Sequence, residues 1–271
     1  MGVHPTRRFT QRADYYARYR PRYPRGVVKI LRKKIRFGRS SVIADVASGT
    51  GLLTRIFLEY GNRVFAIEPN VKMRVHAEKD LARFANFISV KGTAERTTLP
   101  ESSVDLVTVG QALHWFNPAK TAREFDRILK PRGNLMVIYN DRKQDRFGRA
   151  YGRVVKKYQK DRSDVPNPND EYVRKFFRDG KFSKFRVPNE QVLDFGGLLG
   201  RLLSASYMPT PAEKSFAKFH ADVKKIFDAH SSKGKVRLRY DATFYLGHVS
   251  KNVSNNKNSE TISQVGFSNR L

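Results

Sequence analysis

Between residues 40 and 140 short apolar runs alternate with longer segments of mixed polarity, a pattern that predicts strands and helices in turn. Val42-Ile43-Ala44-Asp45-Val46 is the first apolar run, and the chain then turns through Gly49 and Gly51 into a helix. Arg63-Val64-Phe65-Ala66-Ile67 is the second and ends in Glu68-Pro69; residues 87–90 form the third. The fourth covers 103–110 and is entered through Leu99-Pro100. The fifth covers 134–139 and follows the turn Leu129-Lys130-Pro131-Arg132-Gly133. Apolar strands separated by helices require a parallel sheet covered on both faces.

On either side the pattern is looser. Residues 13–36 read as one or two helices interrupted at Pro21 and Pro24, a cap in front of the sheet. After the fifth strand, 146–160 has helical spacing, 164–170 is a Pro/Asn/Asp loop and 171–178 a short helix. A strand over 185–195, helices over 198–204 and 211–229, and a long alternating strand over 235–246 follow. The last two strands are expected to close the sheet as an antiparallel hairpin. The predicted fold is therefore α/β: a Rossmann-like, seven-stranded, mostly parallel sheet with helices on both faces. Residues 1–39 are its basic cap and 40–250 one domain, with a cofactor half at 40–141 and a substrate-side insertion and closing strands at 142–250. Residues 1–11 are expected to be a frayed start and 251–271 a disordered polar tail.

The glycine turn carries the first chemistry. Glycine leaves no Cβ in the way, so Gly49 and Gly51 let a ligand lie against the main chain where the helix begins. A dinucleotide loop has the spacing G-x-G-x-x-G, but here Thr54 stands at the third glycine position. The carboxylate of Asp45 repels a pyrophosphate and suits a ligand carrying an ammonium group, which points to S-adenosylmethionine rather than NAD. An acid at Glu68, roughly twenty residues on, can accept from both ribose hydroxyls. An acid at the end of an apolar strand is expensive unless it is paired or bound, so Asp45 and Glu68 both read as cofactor ligands.

Taken in order, these elements and Gly92-Thr93-Ala94-Glu95 resemble the motif series of class I S-adenosylmethionine-dependent methyltransferases. The resemblance covers about residues 12–140. Tyr16-Ala17-Arg18-Tyr19-Arg20-Pro21-Arg22-Tyr23-Pro24 and Gln111-Ala112-Leu113-His114-Trp115-Phe116 are further similar to the small-molecule subgroup that includes the trans-aconitate type enzymes. It implies a cofactor site made by Asp45, Ala47, Gly49, Gly51, Glu68, Pro69, Ala94, Glu95 and Gln111. Arg20 would pair with the cofactor carboxylate and Tyr16 would close over it. Glu95 reads equally as a helix-start acid. Asp105, at the start of its strand, reads as structural.

Methyl transfer from a sulfonium is an in-line displacement, so the protein mainly aligns the nucleophile and excludes water. A carboxylate acceptor needs no base, whereas a hydroxyl needs one. His114, just past the carboxyl end of the fourth strand, is the candidate base or substrate contact. Trp115, Phe116 and Tyr139 are the candidate substrate walls, with core packing as the other reading of the two aromatics at 115 and 116.

Composition bounds the rest. The 271 residues suffice for one α/β domain, and no apolar run approaches the ~20 residues of a membrane span. The start has no apolar signal region, so a cytoplasmic protein is expected. Absence of cysteine excludes disulfides, thiol nucleophiles and thiolate metal sites, and no metal is expected. The formal net charge of +28 is the anomaly. It fits steering of an anionic small substrate or a nucleic acid, or a general surface property; the last is favoured because the excess extends to Lys156, Lys157, Lys160 and Arg174. An RNA methyltransferase or a non-catalytic nucleic-acid binder on the same fold is the alternative. Against it, Gln111 to Phe116 stands where amino-methylating nucleic-acid enzymes carry an Asn-Pro-Pro-Tyr type string.

Overall fold

The computed structural model describes residues 12–160 and 169–249. The expected frayed start, the polar tail and most of the 164–170 loop lie outside them. The strands are β1 (Val42–Val46), β2 (Arg63–Ile67), β3 (Phe87–Val90), β4 (Val104–Gly110), β5 (Leu129–Arg142), β6 (Ser183–Leu193) and β7 (Val236–Gly247). They form one sheet in the order β3-β2-β1-β4-β5-β7-β6. β1 to β5 pair in parallel, and β7 runs antiparallel to both β5 and β6. The expected closing pair is present, but α8 (Phe195–Leu203) and α9 (Phe216–His230) separate its strands in sequence.

Burial on both faces explains the apolar strands. On one face, α5 (Pro118–Ile128) packs Ala122, Phe125 and Ile128 against Val107, Val109 and Val137. On the other, α2 (Gly26–Lys34), α3 (Thr54–Tyr60) and α4 (Val71–Leu81) pack Leu31, Phe57 and Leu81 with Ile43, Val64 and Leu106. Each such fully buried side chain contributes roughly 1.5–3 kcal/mol. Asn70 and Asn117 start α4 and α5 by accepting from the amides of Met73 and Lys120, and Pro118 opens α5 without wasting a donor.

β5 departs from the expected strand at 134–139. Val104 pairs with Leu129 and Leu106 with Asn134, so the anticipated turn is a bulge inside a longer strand. Asp105 sits opposite that bulge, accepts from the Val42 amide at 2.8 Å and pairs with Lys130 at 2.9 Å, which matches its structural reading. A third apolar cluster lies beyond the sheet. There α6 (Arg146–Tyr158), α8 and α9 gather Phe147, Leu198, Leu202, Phe219 and Val223 around Val236, Leu238 and Tyr240 of β7. The short α7 (Asp170–Arg174) is capped by Asn169.

The cap is held at the carboxyl edge of the sheet. Its helix α1 (Ala13–Tyr19) packs on α8 at Gly200, where a Cβ would lie 2.5 Å from the Tyr19 ring. Arg12 donates to the carbonyls of Leu203, Ala205 and Met208 at 2.7, 2.6 and 2.6 Å, satisfying the end of α8. Gln191 and Asn189 of β6 donate to the carbonyls of Tyr19 and Arg22. Arg12→Ala is therefore expected to cost about 2–4 kcal/mol, since charged donors contribute more than neutral ones. Amide exchange over residues 13–23 should accelerate; an unchanged denaturant midpoint would contradict the strap. Among the described residues no helix is long and apolar enough to cross a membrane.

Candidate active site

Two parallel strands end side by side here. After β1 the chain turns through Ala47 (φ 55°), Gly49 (φ 57°) and Gly51 (φ 78°), and after β4 through Gln111 (φ 61°). Left-handed backbone costs a non-glycine residue roughly 1–2 kcal/mol, and Ala47 and Gln111 both bear it. Backbone bonds hold them: the Ser48 amide donates to Ile67 and the Gln111 amide to Ile138. Such strain at two adjoining strand ends marks a functional edge.

Gly51 is not ligand-facing, contrary to expectation. The space of its Cβ is filled by Leu81 Cδ1 at 2.5 Å and Ala77 at 3.4 Å, so it lets α4 approach the loop. This is the packing role that a dinucleotide loop gives its third glycine. Gly51→Ala combines that overlap with a positive φ and should lower stability by about 1–3 kcal/mol, read as a lower unfolding midpoint. An unchanged midpoint would mean that α4 yields.

Asp45 is 1% exposed, and its oxygens accept from Thr54 Oγ1 at 2.6 Å and Thr108 Oγ1 at 2.9 Å. Parallel pairing places Thr108 opposite Asp45. Burial pushes its pKa up to about 6, with the threonine hydrogen bonds opposing and the nearby Glu68 charge adding to the rise. The two hydroxyls are protein partners that offset part of the cost of its burial. Glu68 likewise has protein partners: Oε2 accepts from the Gly49 amide at 2.9 Å and Oε1 from the Asn70 amide at 2.8 Å. Burial raises its pKa, and those two amides hold it back. Glu68 thus shapes the glycine turn itself; a carboxylate offers about four acceptor sites, so two remain.

Two adjoining cavities open at this edge and share Tyr16, Ala47, Gly49, Gly110 and Gln111. The smaller, about 110 Å³, adds Arg20, Asp45, Asn140 and Arg201. The larger, about 290 Å³, adds Glu68, Pro69, Ala94 and Glu95, with Trp115 and Phe116 as aromatic wall. Of the expected site residues, Gly51, His114 and Tyr139 line neither cavity. His114 sits on the single 3-10 turn Leu113–Trp115, its ring 4.8 Å from that of Trp115. Tyr139 faces the α5 side of the sheet, 8% exposed in the core, and burial pushes its hydroxyl pKa up. Strand alternation turns its neighbour Asn140 to the cavity instead. Glu95 lines the larger cavity and also accepts from the Asn117 amide at 3.2 Å, at the start of α5.

Asn140 and Arg201 are among the polar lining residues that the sequence reading missed, with Tyr23, Ser48, Asn70 and Thr93. Arg201 had a signal, being the one charged side chain in Phe195–Leu203. Asn140 had only its place at the end of the fifth strand.

A glycine turn after β1, an acid after β2 and this strand order make a Rossmann-like sheet of the kind found in methyltransferase structures. Residues 44–137 match the family model described as a methyltransferase domain. Among relatives, an uncharacterized methyltransferase of Mycobacterium tuberculosis is 35% identical over 144 residues, 52% of this chain and 55% of that protein. A methyltransferase-like protein of Schizosaccharomyces pombe is 29% identical over 226 residues, 80% of this chain and 84% of its own length. The chain thus spans about half the length of the first of these curated relatives. A type II methyltransferase structure from Anaeromyxobacter dehalogenans shares the fold at a TM-score of 0.63, with 20% identity over 85% of this chain and 98% of that one.

The lining suits S-adenosylmethionine, the cofactor that the resemblance implies. Arg20 Nε is buried without a hydrogen-bond partner among the described residues, and so are Ser48 Oγ and Thr50 Oγ1 of the turn. Such groups favour a polar ligand.

Proposed function

We propose that this chain transfers a methyl group from S-adenosylmethionine to a small-molecule acceptor bearing a carboxylate or a hydroxyl. The observation that carries the reading is the pair of cavities meeting at Ala47 and Gln111, one beside the Glu68 carboxylate and one beside Asp45 and Arg20. Glu68 would hold ribose hydroxyls, while Met73 and Ala94 wall the adenine side and Pro69 borders it. Asp45 would take the ammonium group and Arg20 the carboxylate. When bound, the cofactor supplies an electrophilic methyl on sulfur. Tyr16, which lines both cavities, and the Trp115 and Phe116 wall exclude water from the junction.

A carboxylate acceptor fits best, because it needs no base and His114 stands off the cavities. The test is transfer from methyl-labelled S-adenosylmethionine to a panel of small carboxylic acids, alcohols and RNA. Label in a small acid or alcohol is expected; label in RNA alone would favour the other reading. That second reading rests on Arg22, Arg55 and Arg83 lying near one another, since burial first and then the other two guanidiniums lower the pKa of Arg55. It requires RNA affinity that falls steeply with salt.

A further inference from the structure

The smaller cavity holds two guanidiniums, Arg20 from the end of the cap helix and Arg201 from α8, facing one carboxylate, Asp45. Neither arginine has a carboxylate within ion-pair distance among the described residues. Arg20 Nη2 donates to the Ser204 carbonyl at 3.2 Å, its plane lies over the Tyr16 ring at 4.9 Å, and Nε has no partner. Among the described residues Arg201 makes two long hydrogen bonds, Nε to Tyr240 Oη at 3.3 Å and Nη1 to Ser204 Oγ at 3.5 Å, out of five possible donors. Both side chains are partly buried, where like charges side by side are costly. The fold nevertheless enforces their meeting through the close contact of Tyr19 with Gly200.

Arg201 is also aimed. Tyr240 Oη, which it contacts, donates to Gln191 Oε1 at 2.9 Å, and Gln191 Nε2 donates to the Tyr19 carbonyl at 3.0 Å. This chain of bonds ties the arginine to the cap. Asn140 in the same cavity is oriented separately, its Oδ1 accepting from Asn189 Nδ2 at 2.9 Å, which leaves its amide hydrogens as donors.

Charge balance then selects the acceptor. Within the smaller cavity Arg20 and Arg201 stand against Asp45 alone, an excess of one positive charge, and the proposed cofactor brings its ammonium and carboxylate there as a neutral pair. The donor carboxylate satisfies one arginine; the second is left for the other substrate. We infer that Arg201 and Asn140 form an anion-recognition subsite, so that the methyl acceptor is a small organic anion whose carboxylate or phosphate group is held by Arg201. The inference rests on the methyltransferase reading above. It rejects cationic amines as acceptors, which would enter a cavity already carrying surplus positive charge. A planar guanidinium fork suits either anionic group.

The test separates the two readings. Trp115, the only tryptophan, lines the larger cavity, so its fluorescence reports S-adenosylhomocysteine binding to the full chain. Failure of the wild type to bind that product would sink the methyltransferase reading, and the subsite with it. With product bound, the wild type is titrated calorimetrically with acetate, succinate and methyl phosphate, and with ethanol and ethylammonium as neutral and cationic probes. At least one anion should bind and the other two probes should not; the responding anion tells carboxylate from phosphate. Arg201→Gln should weaken that anion tenfold or more while product affinity stays within about threefold, and Asn140→Ala, outside the α8 packing, should weaken it severalfold. Arg201→Lys should recover part of the loss. Anion binding unchanged in both Arg201→Gln and Asn140→Ala, no anion bound by the product-loaded wild type, or equal binding of ethylammonium would each overturn the subsite.

Discussion

Replacing Glu68 by alanine is expected to weaken S-adenosylhomocysteine binding at least 100-fold. Two effects combine. The carboxylate receives the Gly49 and Asn70 amides at 2.9 and 2.8 Å in a nearly buried position, so its removal leaves two donors unmet beside the glycine turn. Hydrogen bonds to a charged group contribute about 1.5–3 kcal/mol each, and the loss extends to the ribose contacts that the proposed site assigns to Glu68. Glu68→Gln keeps one amide acceptor and should lose less affinity. The unfolding midpoint of the alanine variant should fall as well, because the turn loses its support. Near wild-type affinity with a lowered midpoint would show that Glu68 serves the loop alone.

The second large effect is one of pH. Asp45 is pushed up to about 6 by burial, against 3.8 for an ordinary aspartate. The folded protein therefore binds its proton more tightly than the unfolded chain does. The sign follows: stability from this group is fullest below about 4 and is lost as pH rises through about 6. An ammonium group beside Asp45 favours the charged form, so ligand affinity runs the opposite way. Between pH 7 and pH 5 affinity for S-adenosylhomocysteine should fall about tenfold, with proton release on binding near pH 5–6. Calorimetry in buffers of different ionisation enthalpy measures both. In Asp45→Asn the affinity should be low throughout and the Asp45-linked slope absent. If Asp45→Asn retains the wild-type slope, the titrating group lies elsewhere.

The parts of this molecule legible in sequence are those where one physical demand dominates. Strands buried on both faces must be apolar, so β1 to β4 stand within a residue of their expected bounds. The fifth strand misled because Pro131 and Gly133 look like a turn between elements, whereas the sheet absorbs them as a bulge. At the site, residues on the turn and just past strand ends were readable from chain position: Asp45, Gly49, Glu68 and Gln111 all border the cavities. Side-chain direction was not. Tyr139 and Asn140 differ by one residue, and the phase of β5 decides which of them meets the cavity. Gly51 carried the right residue type with a packing reason, set by Leu81 thirty residues on. Arg201 reaches the site only because α8 docks on the cap, a contact between segments 184 residues apart at Arg20 and Ser204, with no local pattern to announce it.

The central claim is that the turn from Asp45 to Gly51 serves a methyl donor and not a dinucleotide. The most direct measurement is calorimetric titration of the full chain with S-adenosylhomocysteine and, side by side, with NAD. One saturable site per chain for the first and no heat from the second is the expected result. No binding of S-adenosylhomocysteine, or equal binding of NAD, would contradict the account.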